Sequence, residues 1–198
     1  MESLWSGEAG RPGNVVVLAG PPCSGKSAVG RVLGTGWEES GWHYVNVDAV
    51  FDALLPGSRR GVADRMLAYE VAHAMALALI ERGRIPVVEC TYSRRWQRES
   101  LARILQALPS TTAVHVVECV VSVEEGVRRF RASAEHQATD LTEQLVRERA
   151  TDYPYTREAL QLRSDTGEPE QLAQVAQSWL SAQPIPVNVE SWVAAGKP

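Results

Sequence analysis

Asn14-Val15-Val16-Val17-Leu18-Ala19 runs directly into Gly20-Pro21-Pro22-Cys23-Ser24-Gly25-Lys26-Ser27. The five residues after Asn14 are apolar without polar alternation, the pattern of a strand covered on both faces. The octapeptide fits G-x-x-x-x-G-K-[ST], a loop that joins such a strand to a helix. Its glycines let main-chain N–H groups turn toward phosphate oxygens, and the following helix adds partial positive charge at its N-terminus. In this reading Gly20, Pro21, Pro22, Cys23, Ser24, Gly25, Lys26, Ser27 and Ala28 cradle ATP. The Lys26 ammonium reaches the β- and γ-phosphates, and the Ser27 hydroxyl holds Mg²⁺.

Outward from this loop, the composition is that of one ordinary globular unit. The chain has 198 residues, 44% hydrophobic and 22% charged, enough apolar surface to offset chain entropy without staples. A net charge of −4 argues against a general polyanion partner such as nucleic acid, although a local basic pocket is compatible with it. Of the twenty basic residues only Lys26 and Lys197 are lysine. The single lysine of the protein body therefore stands where a compact phosphate clamp is needed. Three cysteines, Cys23, Cys90 and Cys119, lack metal-like spacing and read as packed, reduced thiols of a cytoplasmic protein. No apolar run is long enough for a membrane span, so no membrane partner is expected.

Short apolar runs alternate with helical patterns along the rest of the chain. Strands are expected at 43–47, 85–90, 113–121 and 159–163, and helices at 26–33, 49–55, 62–82, 96–108, 122–132, 140–150 and 169–182. The periodicity of the 62–82 helix suggests an inward face of Met66, Leu67, Val71, Ala74, Met75, Ala78 and Leu79. Five strand–helix alternations predict an α/β fold, a parallel sheet with right-handed crossovers and helices on both faces. Residues 1–13, rich in glycine, read as a flexible arm, and 14–182 as the domain. The tail 183–198, with Trp192, has two readings, folding back or mediating a homodimer.

Ligands in such folds bind beyond the carboxyl ends of the strands, so the polar residues there are the site candidates. Asp48 follows the second strand, where it either accepts a proton from an attacking hydroxyl or caps the next helix. Asp52 lies one turn on, either touching substrate or facing solvent. Glu89 ends the third strand, a position suited to the Mg²⁺ water shell. Glu118 follows similarly but is read as structural, because Val120 and Val121 continue the strand. Two arginine clusters follow, Arg94, Arg95 and Arg98, then Arg128, Arg129 and Arg131. Each is either a phosphate-stabilising set or a solvated helix face. Among these, Arg128 and Arg131 are the expected phosphate-neutralising pair, on a lid spanning 128–141. Phe51, Tyr92, Arg94 and Arg95, with Asp52, are the substrate-side candidates, and the aromatic residues there suit a partly apolar small molecule.

The loop Gly20–Ser27, Val47-Asp48-x-x-x-Asp52 and Arg128–Arg131 together resemble the small P-loop kinases. This superfamily includes nucleoside monophosphate kinases, gluconate kinase and polynucleotide kinase. Val47-Asp48-x-x-x-Asp52 looks most like chloramphenicol phosphotransferase, in which the acid after the second strand is thought to be the base. The stretches around Glu89–Arg95 and Asp165–Pro169 resemble a broad group of predicted kinases. The resemblance spans about residues 14–182. It implies sheet order 2-3-1-4-5, a lid over the phosphates, and adenine near Arg128 and Thr166. Glu89 departs from the group, where Asp is commoner. The function so implied is transfer of the ATP γ-phosphate to a small-molecule hydroxyl, such as that of an antibiotic or other natural product. A polynucleotide or nucleoside 5′-hydroxyl kinase and a nucleotide-dependent switch ATPase are the alternatives.

Overall fold

The computed structural model describes residues 14–35, 41–109, 112–133 and 140–198. The proposed arm 1–13 and lid residues 134–139 lie outside the described residues. The five apolar runs form one parallel sheet of strands β1 (Asn14–Ala19), β2 (Trp42–Asn46), β3 (Ile85–Glu89), β4 (Ala113–Val120) and β5 (Leu160–Arg163). Their order is β2-β3-β1-β4-β5, all pairs parallel. β1 is central, which is why its run has no polar alternation. Val15, Val17 and Ala19 enter one core, whereas Val16 and Leu18 enter the other.

Helices α1 (Lys26–Thr35) and α7 (Pro169–Ser181) cover the second core, packing on each other through Val29, Leu33, Ala173, Ala176 and Leu180. The first core is covered by α2 (Val47–Leu54), α3 (Val62–Ile80), α4 (Arg95–Leu105) and α8 (Val189–Ala194). Helices α5 (Val123–Ala132) and α6 (Glu143–Thr151) pack on one another, joined by Gly126 against Val146. Ser122 and Thr142 cap them through their hydroxyls.

The inward face of α3 differs from the periodicity reading. Ala68, Tyr69, Ala72, His73, Ala76 and Ile80 are buried, while Met66, Leu67 and Met75 are exposed. The helix is apolar nearly all round, so period alone selects no face. Small residues let it approach the sheet closely, and the aromatic rings fill the remaining gap. His73 is held there between the Ser100 hydroxyl and the Tyr92 hydroxyl, each 2.8 Å away.

The tail packs back on the domain. Val187 N–H donates to Val114 C=O at 2.9 Å, Trp192 is buried against Tyr92, and Lys197 pairs with Ser93–Arg95 main chain. Arg98 anchors this arrangement. Fully buried, it donates to the carbonyls of Tyr92, Pro154 and Trp192 at 2.7, 2.9 and 2.6 Å. Its guanidinium also lies over the Trp192 ring.

Candidate active site

The site forms where the carboxyl ends of β1, β2 and β3 meet α1. At Gly20 the chain turns with φ +149, and a Cβ there would sit 2.7 Å from the Cys119 carbonyl. Gly25 takes φ +79 and Cys23 φ +61, so the loop is wound in a conformation that points main-chain N–H groups inward. Lys26 is 8% exposed, its ammonium 3.3 Å from Pro21 C=O and 3.9 Å from Glu89 Oε1. Ser27 Oγ donates to Glu89 Oε1 at 3.3 Å.

Glu89 is 1% exposed at the centre of these donors. Tyr44 Oη donates to it at 3.0 Å and Asn46 Nδ2 donates to the same oxygen. Burial pushes its carboxyl pKa up, opposed chiefly by the Lys26 charge. The Ser27 hydroxyl and the Glu89 carboxylate thus converge beside the loop, a hard-oxygen pair of the kind Mg²⁺ takes together with water and phosphate oxygens. These residues fit the ion.

Asp48 does not cap α2. Asn46 does, accepting the Ala49 N–H at 2.7 Å, and Asp48 lies in the first turn. Its Oδ1 accepts from Arg60 Nη1 at 2.7 Å, and Arg60 Nη2 donates to Asp52 Oδ1 at the same distance. Arg60 is 6% exposed, adopts φ +55 and lies over the Phe51 ring at 4.5 Å. The sequence reading missed this residue. The signal for it is the pair of acids one helical turn apart, between which one guanidinium can bridge.

Asp48, Phe51, Lys26, Ser27, Pro22 and Cys23 line one cavity of about 750 Å³, together with Arg60, Tyr69, Thr91, Arg94 and Trp96. Asp52 is outside that lining, half-exposed and turned to Arg60. Tyr92 is a correction. It is fully buried, with φ +49, stacked on His73 in the core, and cannot touch a cavity ligand. Thr91 and Ser93 on either side face the cavity instead. Arg95 is exposed outside the lining, its main chain tied to Lys197.

The second arginine cluster is divided by helix rotation. Arg128 is 69% exposed and pairs with Glu125, and Arg131 is 65% exposed and pairs with Glu143. Arg129, which belongs to the candidate cluster but is not singled out in it by the sequence, is the one laid across the phosphate loop. It donates to Cys23 C=O and Ser164 Oγ at 3.3 Å and also to Ser164 C=O. Thr166 is exposed nearby, its hydroxyl on Arg163 C=O. The three arginines are identical as residue types, and only the orientation of α5 on the domain selects among them.

Comparisons with known proteins agree with this geometry. A family model described as an AAA domain matches residues 15–166. No curated protein matches the chain. Among solved structures, a sugar kinase from Janibacter sp. HTCC2649 superposes with TM-score 0.61 at 18% identity, covering 94% of this chain and 99% of the other. The APS kinase CysC of Mycobacterium tuberculosis, solved with AMPPNP and APS, gives 0.63 at 18% identity, covering 85% and 98%. A tunicamycin resistance protein from Deinococcus radiodurans gives 0.60 at 15% identity, covering 89% and 100%. With its phosphate loop opening α1 and a 2-3-1-4-5 sheet behind it, this chain belongs to that AAA-domain family and shares the fold of the kinases it superposes on.

Proposed function

We propose that the protein is a Mg²⁺- and ATP-dependent phosphotransferase acting on a small-molecule hydroxyl. One observation carries the reading: Lys26, Ser27 and Asp48 line the same cavity of about 750 Å³, a size suited to a small ligand. Mg²⁺ held by Ser27, with Glu89 on its water shell, would neutralise charge on the triphosphate. Lys26 binds the phosphate oxygens and Arg129 secures the loop that holds them. Asp48 accepts the acceptor's proton as the new O–P bond forms and the bond from the γ-phosphorus to the β–γ bridging oxygen breaks, leaving ADP. Arg60 fixes the Asp48 carboxylate for that step through its 2.7 Å hydrogen bond. Because the transition state is loose, a base held by an arginine still suffices to take the proton late. Phe51, Tyr69 and Trp96 supply an apolar wall for the acceptor, which fits a natural product or antibiotic. The lack of a long basic run favours a small molecule over a polynucleotide. A soluble, cytoplasmic location goes with this reading; among the described residues no helix is long and apolar enough to cross a membrane.

The test is a metabolite and antibiotic screen for ATP-dependent mass gain of one phosphate, repeated with two variants. Asp48→Ala is expected to bind AMPPNP normally and lose transfer by about 10²–10⁴-fold. Lys26→Ala is expected to lose both. Transfer at the wild-type rate in Asp48→Ala would overturn the base assignment.

A further inference from the structure

The acceptor half of the cavity holds more positive charge than the proposed chemistry uses. Arg60, Arg65, Arg94 and Arg149 line it, against the carboxylates of Asp48 and Asp140. Three of these guanidinium groups have partners. Arg60 is held by Asp48 and Asp52, Arg65 pairs with Asp140, and Arg94 Nη1 donates to the Pro198 main-chain oxygen at 2.7 Å. Arg149, on α6, lines the cavity half-buried and makes no hydrogen bond or ion pair among the described residues.

Arg149 also sits among like charges. Burial first, then the charge of Arg65 and more weakly that of Arg94, push its pKa down, with Asp140 opposing. So α3, the start of α4 and α6 bring three guanidinium groups into mutual influence at one wall. A half-buried cation without a partner is costly unless something compensates it. A planar fork with free donors is best compensated by a bidentate oxyanion. The aromatic wall of Tyr69 and Trp96, with ring centroids 5.1 Å apart, adjoins the cavity and suits the apolar body of such a ligand.

From this arginine, unpaired among the described residues, we infer that the acceptor carries an oxyanion — a carboxylate, sulfate or phosphate distinct from the hydroxyl that is phosphorylated — and that Arg149, flanked by Arg65 and Arg94, docks it. The inference rests on the phosphotransferase reading for the word acceptor. The anion site itself does not depend on that reading.

The experiment uses simple aromatic probes on the full chain, with the phosphate loop first saturated by AMPPNP and Mg²⁺. Calorimetric titration with benzoate, phenyl sulfate and phenyl phosphate distinguishes the three anion classes, and benzyl alcohol is the neutral control. At least one anion should bind roughly tenfold more tightly than the alcohol, and Arg149→Gln should remove roughly that tenfold preference. Alcohol and AMPPNP affinities should stay unchanged. Should the glutamine variant not fold, Arg149→Lys keeps the charge, loses the fork and is expected to weaken the anion about threefold. A chain with no preference for any anion, or a variant with the preference intact, overturns the inference. The benzoate titration is repeated in Lys26→Ala. Loss of AMPPNP binding by the wild-type chain would sink the phosphotransferase reading alone, whereas benzoate binding that survives in Lys26→Ala keeps the anion site standing.

Discussion

At the residue scale the site depends on side chains whose identity and surroundings must agree. Lys26 works because a compact ammonium fits beneath the loop, 3.3 Å from Pro21 C=O, where a guanidinium fork would not. The chain uses arginine almost everywhere else. Glu89 was legible as an acid ending a strand, but its partners were not. Tyr44 and Asn46 come from the neighbouring strand and reach it only because β2 pairs with β3, with Asn46 opposite Glu89. Arg60 shows the same limit. It lies in an irregular stretch between two helices, yet it fixes the proposed base. Arg60→Gln is expected to lower transfer by roughly 10–10²-fold with AMPPNP affinity unchanged. The discriminating readout is the split between kcat and KM, with the loss expected in kcat. A loss confined to KM would show that Arg60 does not position the base.

At the element scale, helices and strands were legible to within a few residues because hydrophobic runs, caps and glycine or proline stops are local signals. Their rotations were less so. On α3 Met66, Leu67 and Met75 face outward, while Ala68, Ala72 and Ala76 are buried against the core, since close approach to a sheet favours small side chains. On α5 the rotation places Arg129 on the loop and leaves Arg128 and Arg131 outside. α8 was not read from the sequence at all. It is six residues long, too short for a periodic signal, and is ordered by Arg98 and Trp192. Arg98→Met leaves three carbonyls, two of them in buried hydrogen bonds and one part-buried, without their donor. At roughly 1 kcal/mol or more each, the loss should be about 3 kcal/mol in unfolding free energy, seen as a lower midpoint in urea denaturation. A midpoint within error of wild type would show that α8 is held by apolar packing alone.

At the scale of the whole molecule, buried titratable groups couple stability to pH. Burial holds His73 neutral, with its pKa pushed down to about 3, Arg103 adding to the effect. The unfolded chain therefore takes up a proton below about pH 6.5 that the folded chain refuses. Stability is complete above that pH and falls as acid is added. His115, lowered to about 4 by burial, acts in the same direction. Glu118, raised to about 7 by burial, and Glu89, also raised by burial, act in the opposite sense, since the folded state holds their protons. The contribution of His73 is isolated by comparison with His73→Gln. Between pH 6.5 and 5, the wild type should lose about 2 kcal/mol more than the variant, measured by urea unfolding at both pH values. Equal losses would mean that His73 is not held neutral in the fold.

The sequence by itself determined the fold class and the place of the phosphate loop. A doubly buried apolar strand followed by the glycine–lysine–serine spacing is local information, satisfied by backbone geometry wherever it is embedded. It also marked Asp48 and Glu89, because the ends of parallel strands are where such folds bind ligands. Only the tertiary structure decided what those carboxylates touch, which arginine of each cluster turns inward, and that Tyr92 belongs to the core. Strand pairing, helix rotation and the packing of the tail set these contacts. All three depend on contacts between residues far apart in the chain, as when Arg98 meets Trp192 or Arg129 meets Cys23. No window of neighbouring residues carries that information, because the energy that selects it arises only when the whole core is closed.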